Sequence, residues 1–127
     1  MKEITAIIRM DMVNKTKEAL LILGFPAMSA CKVMGRGRKK IDYDLLQDVF
    51  SEKDGLTPII AEQLSEIHRL MPKRMITLVT VDEDVVTVIN AIIEINKNGN
   101  PGNGKIFVTR VDEVIRIRTG EDGAEGI

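Results

Sequence analysis

From Lys2 to Arg9 polar and apolar residues alternate, with Ile4, Ala6 and Ile8 on one side. Period two in a β-branched stretch predicts a strand with one buried face. Further on the period lengthens: Val13, Ala19, Leu20 and Leu23 fall on one helical stripe, Asn14 is suited to cap its start, and Gly24 supplies a left-handed stop before Pro26. Ala27 to Met34 predicts a second strand and Arg74 to Val81, with Ile76, Leu78 and Val81, a third. Asp82 is placed to cap a second helix with acids in its first turn, apolar Val85, Val86, Ile89, Ile92 and Ile93, and Gly99 just past its end. Lys105 to Val108 and Val114 to Arg118 are expected as short closing strands.

The order is βαββαβ, an α+β arrangement in which both helices cover one face of an antiparallel sheet. The other face then needs a cover. No further helix is foreseen for it, and an exposed apolar sheet face exceeds what soluble monomers show, so self-association is expected. Residues 40–71 interrupt the pattern with apolar stripes of their own. Leu45, Leu46, Val49 and Phe50 fit one short helix, and Thr57 with Pro58 opens another containing Ile60, Leu64 and Ile67. These helices pack on each other or dock into a partner groove. His68, alone at a positive loop end, is read as a polar surface residue. The tail from Thr119 to Ile127, rich in glycine and acids, is expected to be mobile.

A chain of 127 residues is the size of one domain with one core, and with aromatics at 3% that core must be built from Ile, Val, Leu and Met. A net charge of −1 removes the long-range field of a general nucleic-acid or anionic-membrane binder. Cys31 is the single cysteine, which excludes an intramolecular disulfide, suits a reducing cytosol, and is expected to be a buried packing thiol. Met1 to Ile8 contains no long apolar run, so neither a signal peptide nor a membrane span is expected there, and the protein is expected in the cytoplasm.

Two segments combine glycine with cations: Met34-Gly35-Arg36-Gly37-Arg38-Lys39-Lys40 and Gly99-Asn100-Pro101-Gly102-Asn103-Gly104-Lys105. Glycines let the backbone approach a phosphate, and successive amides with cationic side chains satisfy its oxygens, although a Gly-rich turn is commonly only a turn. The second segment is not a Walker loop, since it lacks the Ser or Thr after its lysine and runs into a strand. Arg116-Ile117-Arg118 would place both arginines on one face of a strand, and a solvated edge is the plain alternative.

Gly102 to Val108 (GNGKIFV) and Val114 to Glu121 (VIRIRTGE) closely resemble the two terminal signatures of PII signal-transduction proteins, and Lys32 to Lys40 (KVMGRGRKK) resembles the segment that opens their T-loop. The resemblance covers residues 1–41 and 72–127, a single PII-like domain with a long T-loop insertion at 37–72. It implies a trimer of ferredoxin-like subunits that binds ATP or ADP between neighbours. Carried over by motif, Gly35, Arg36, Gly37 and Arg38 would lie at the T-loop base against the nucleotide, and Gly102, Asn103, Gly104 and Lys105 would hold its phosphates. Arg116 and Arg118 would reach over from the adjacent subunit, and Ile7 and Ser29 fall where the family contacts the nucleoside. Lys73 matches the lysine that pairs with 2-oxoglutarate, with Lys39 and Lys40 beside it in that site.

Lys39 stands where many members have a glutamine that helps hold magnesium, and an ammonium cannot ligate a cation; magnesium beside ATP is left open. The T-loop tyrosine motif is missing, Tyr43 being too near the loop base, so covalent nucleotide attachment is not expected. The GRGRKK start, the LQDVF loop and HRLMPKR together resemble the longer of the two PII-like nitrogenase regulators encoded beside the nitrogenase genes of nitrogen-fixing methanogenic archaea. This implies pairing with a shorter paralogue, direct inhibition of nitrogenase when nitrogen is plentiful, and relief by 2-oxoglutarate with ATP. Leu45, Leu46, Phe50, Ile60 and Leu64 are then the expected partner-binding residues.

With no positioned nucleophile or base apparent, binding without turnover is expected and no catalytic residue or metal site is assigned. The alternatives are a PII-like regulator of another target, such as an ammonium transporter or glutamine synthetase, and a slow ATPase. An RNA-binding module of the same topology would need exposed aromatics on its central strands, which carry none here.

Overall fold

The computed structural model describes residues 1–37 and 69–127. The chain divides into Met1–Val33 with Pro72–Ile127, and a second unit, Met34–Met71. Strand β1 (Lys2–Arg9) leads through a single 3-10 turn, Met10–Met12, into helix α1 (Val13–Ile22). Strands β2 (Ser29–Gly35) and β3 (Met71–Thr80) follow, then a 3-10 turn at Asp82–Asp84, helix α2 (Val85–Asn96) and strand β4 (Lys105–Arg110). The sheet runs β2-β3-β1-β4, with β1 antiparallel to both β3 and β4. Two helices against a four-stranded antiparallel sheet make the expected ferredoxin-like α+β fold.

Alternation along β1 decides which face is inside. Ile4, Ala6 and Ile8 are buried; Ile4 pairs with Leu78 and Ala6 with Ile76, both also buried. Leu20 of α1 and Val88 and Ile92 of α2 close this core, each isoleucine contributing about 1.5–3 kcal/mol by leaving water. One polar pair is enclosed with them. Thr16 Oγ1 donates to Met12 O at 2.8 Å, and Asn96 Nδ2 donates to Thr16 Oγ1 at 3.0 Å and to Ile92 O at 2.9 Å, stitching α1 to α2. On the reverse of the sheet the hydroxyls of Thr5 and Thr77 lie 3.4 Å apart, and Phe107, paired with Thr5, is 47% exposed. That face carries the apolar and threonine side chains for which a cover is expected.

Several local expectations change. Asn14 does not cap α1: the 3-10 turn carries the chain into the helix two residues earlier, and Met12 is the N-cap without a side-chain bond. Gly24, at φ +89°, does end it. Asp82 does not cap α2 either, because its carboxylate is drawn 3.1 Å from the Met1 ammonium. Cys31 is exposed rather than packed, since it lies on the edge strand β2. Val114 to Arg118 forms no strand: the chain leaves β4, makes one bridge between Ile115 and Asp122, and turns. The tail then runs through a short 3-10 turn, Gly123–Gly126.

The ammonium's hydrogen bond to Asp82 holds that carboxyl below its ordinary value, helped by the charges of the ammonium, Lys2 and Arg110 and opposed by desolvation. A depressed acid stabilises the fold above the unfolded pKa, about 3.9, and that increment is lost as pH falls through the folded value. Asp82→Asn is therefore expected to lower the urea midpoint slightly at pH 7, by an amount that shrinks as pH falls below the unfolded pKa. The effect is small because the pair is solvated.

Candidate functional site

The loop between α2 and β4 is shaped by close backbone approach. Gly104 has φ +112°, and a Cβ placed on it would lie 1.9 Å from the carbonyl oxygen of Ile7. Only glycine lets the loop press on β1 there, immediately before Lys105 pairs with Ile7. Gly102, at φ +93°, is held from another side: Lys73 Nζ donates to its carbonyl at 3.0 Å. Asn100 N bonds Asn98 Oδ1 at 3.0 Å, an Asx turn that starts the loop. Glycine, lysine and asparagine thus shape a stretch that has no regular secondary structure.

Ile7 pairs with Lys105, and Arg9, two residues on, pairs with Lys73, so these cations gather at one end of the sheet. Arg9 Nε makes no hydrogen bond there but stands 4.0 Å from Asp11 Oδ1, and Arg74, paired with Ile8, lies on the helix-covered face of the sheet. Lys73, Lys105 and Arg9 beside a glycine loop make a cationic setting that suits an anion. Asn103 Oδ1 is likewise buried without a donor. Among the described residues, no cluster of acidic, His or Cys side chains is placed to hold a metal ion, and no helix is long and apolar enough to cross a membrane.

The remaining expected site residues belong to other segments of the chain. Ser29 opens β2 and is exposed. Gly35 ends β2, and Arg36 and Gly37 follow it, exposed, in the second unit. Arg116 and Arg118 sit in the C-terminal turn instead of on a strand. Arg116 is engaged: it meets Glu121 at 2.6 Å and donates to Ile127 O at 2.8 Å, while Thr119 Oγ1 donates to the same Glu121 carboxylate at 2.8 Å. Arg38, Lys39, Lys40, Leu45, Leu46, Phe50, Ile60, Leu64 and His68 lie outside the described residues. Sequence reasoning passed over Glu121 and Asn96. The first has the signal of an acid five residues after an arginine in a turn-forming stretch; the second, at the end of an apolar helix, has none.

Residues 1–121 match the family described as Nitrogen regulatory protein P-II. The chain is 43% identical over 127 residues to the nitrogen fixation nifHD region GlnB-like protein 2 of Methanobacterium ivanovii, covering 100% of this chain and 99% of that one. The protein of the same description from Methanococcus maripaludis is 42% identical over 127 residues, with 100% of each chain covered. Nitrogen regulatory protein P-II 2 of Methanothermobacter thermautotrophicus is 39% identical, covering 100% of this chain and 97% of its own.

Proposed function

Because the chain belongs to the nitrogen regulatory protein P-II family, we propose that it is a nitrogen-signalling subunit that binds ATP or ADP and 2-oxoglutarate without turning them over. With a paralogue, it inhibits nitrogenase when nitrogen is sufficient. Its working form is a trimer or a mixed assembly with that paralogue, acting in the cytoplasm. The nifHD-region description of its relatives supports the choice of target over an ammonium transporter or glutamine synthetase.

The observation that carries the reading is the bond from Lys73 Nζ to Gly102 O, at 3.0 Å, beside the pressed turn at Gly104. It links the cation assigned to 2-oxoglutarate with the loop assigned to phosphate. Gly102, Asn103, Gly104 and Lys105 would hold the phosphates, and Arg116 and Arg118 would supply charge from a neighbouring copy. A dicarboxylate is a better partner for an ammonium than a carbonyl, so its arrival would draw Lys73 away and change what restrains the loop. Coupling of the two ligands then follows from one side chain with two partners.

Calorimetry and a purified nitrogenase assay with the paralogue present test this together. The native chain is expected to bind 2-oxoglutarate chiefly when ATP is bound, and 2-oxoglutarate with ATP is expected to lift inhibition. Lys73→Ala is expected to bind 2-oxoglutarate at least about tenfold more weakly, the value of one charge-assisted hydrogen bond, and to stay inhibitory. Equal affinity in the variant removes Lys73 from the site. No nucleotide binding by the native chain rejects the reading altogether.

A further inference from the structure

Helix α1 ends in three open apolar side chains: Leu21, Ile22 and Leu23 are 60%, 84% and 46% exposed. Val86, in the first turn of α2, is 65% exposed. The topology brings these two helix ends together. Strand β1 runs into α1 at its Arg9 end, and β3 runs into α2 from Thr80, which pairs with Lys2 at the other end of β1, so α1 finishes where α2 starts. A cleft of about 320 Å³ lies there, lined by Phe25 and Pro26 just after α1, Leu78 and Val81, Asp84 just before α2, and Ala124 of the tail. An apolar side chain exposed singly is ordinary, but several at one end of the molecule beside a cleft mark an interaction surface.

The open charges at this end are mainly acidic. Asp82 is held by the Met1 ammonium, with Lys2 and Arg110 close to it. Glu18, one turn before Leu21 and Ile22, Glu83, three residues before Val86, and Asp84 and Glu125 make no ion pair among the described residues. Against them, α1 sets one cation within a turn of Leu21, Lys17. Assembly through the reverse face of the sheet leaves this surface open, because both helices lie on the other face. A second copy docked on the same end would set carboxylate against carboxylate, and an anionic membrane meets the same repulsion. Apolar side chains rimmed by unpaired acids instead complement a helix that carries leucine-type residues on one face and Lys or Arg beside them.

We infer that this end of α1 and α2 docks a basic amphipathic helix of another protein, its apolar side chains on Ile22, Val86 and the Phe25 cleft and its cations against Glu18 and Glu83. The surface is separate from the Gly102 to Lys105 loop and from residues 40–71. It gives the chain a protein contact that stands whether or not the proposed function does.

The test uses the full chain and two short fluorescent peptides, one of leucine and lysine at helical spacing and one with glutamate in place of each lysine. Anisotropy at low salt is expected to show saturable binding of the lysine peptide and none of the glutamate peptide. Ile22→Ser with Val86→Ser is expected to weaken the lysine peptide by about tenfold or more, as loss of one buried isoleucine requires. Ile117→Ser, at another fully open position, should leave it unchanged. Glu18→Lys with Glu83→Lys is expected to lose the lysine peptide and take up the glutamate peptide, a reversal that loss of folding does not produce. No binding of the lysine peptide, equal binding of both peptides, or full affinity in the Ile22, Val86 variant overturns the inference. Self-association of the native chain that Ile22→Ser abolishes also overturns it, by assigning the surface to a second copy. Each of these results leaves the proposed function standing, since ATP binding is read separately by calorimetry.

Discussion

Gly104→Ala is expected to destabilise the apo protein by about 3 kcal/mol or more, because a methyl at that position meets backbone that cannot step aside. The new Cβ would stand 1.9 Å from Ile7 O and 3.0 Å from Ile7 C, within the β1–β4 pairing itself. Relief requires moving either β1, which is central in the sheet, or the loop. Gly99→Ala separates strain from collision: Gly99 also has a positive φ, +77°, but nothing lies within 4 Å of its Cβ position. That variant should cost only about 1–2 kcal/mol, the penalty of the left-handed region for an L-residue. Urea unfolding of the two variants at one pH decides the matter. Equal losses would mean that the loop yields freely and does not form a built site.

Ile92→Ala carries the second large effect, about 2–5 kcal/mol. Ile92 is 2% exposed and packs with Ile4, Ile8 and Leu20 between α2 and the sheet, and its carbonyl also accepts from Asn96. Truncation leaves a void that the rigid strands cannot fill. Val86→Ala on the same helix, at 65% exposure, should change stability by less than about 0.5 kcal/mol. Thermal melts of the pair test whether the apolar content of α2 is all core. Similar losses would show that Val86 too is covered in solution, as assembly of copies would do.

That contrast also marks the limit of the hydrophobic pattern. Val85, Val86, Ile89, Ile92 and Ile93 are all apolar and all lie on α2, yet only Ile92 of the five is buried in the single chain, and Val88, which the stripe omitted, is fully buried. Periodicity says where apolar residues recur. It does not rank them by depth, since depth depends on how the helix is rolled on the sheet. The strands were easier. In β1 the alternation of Ile4, Ala6 and Ile8 has only two faces to choose between, and the predicted bounds, Lys2 to Arg9, are those observed.

Order of the main elements and handedness of the stop at Gly24 were thus readable from residues alone, because each depends on neighbours close in sequence. The family was readable too, from the glycine loop and the RIRTGE stretch, whose residue types are too unusual in that order to recur by chance. Other features needed the tertiary structure. Asn14 and Asp82 have the chemistry of caps, but the 3-10 turn and the Met1 ammonium, distant in sequence from Asp82, redirect them. Val114 to Arg118 has the composition of a strand, but a strand exists only where another offers its backbone, and here the tail turns back to meet it in a single bridge. The tie from Lys73 to Gly102 spans 29 positions, and no local pattern encodes a contact that the order β3-β1-β4 alone brings within 3.0 Å.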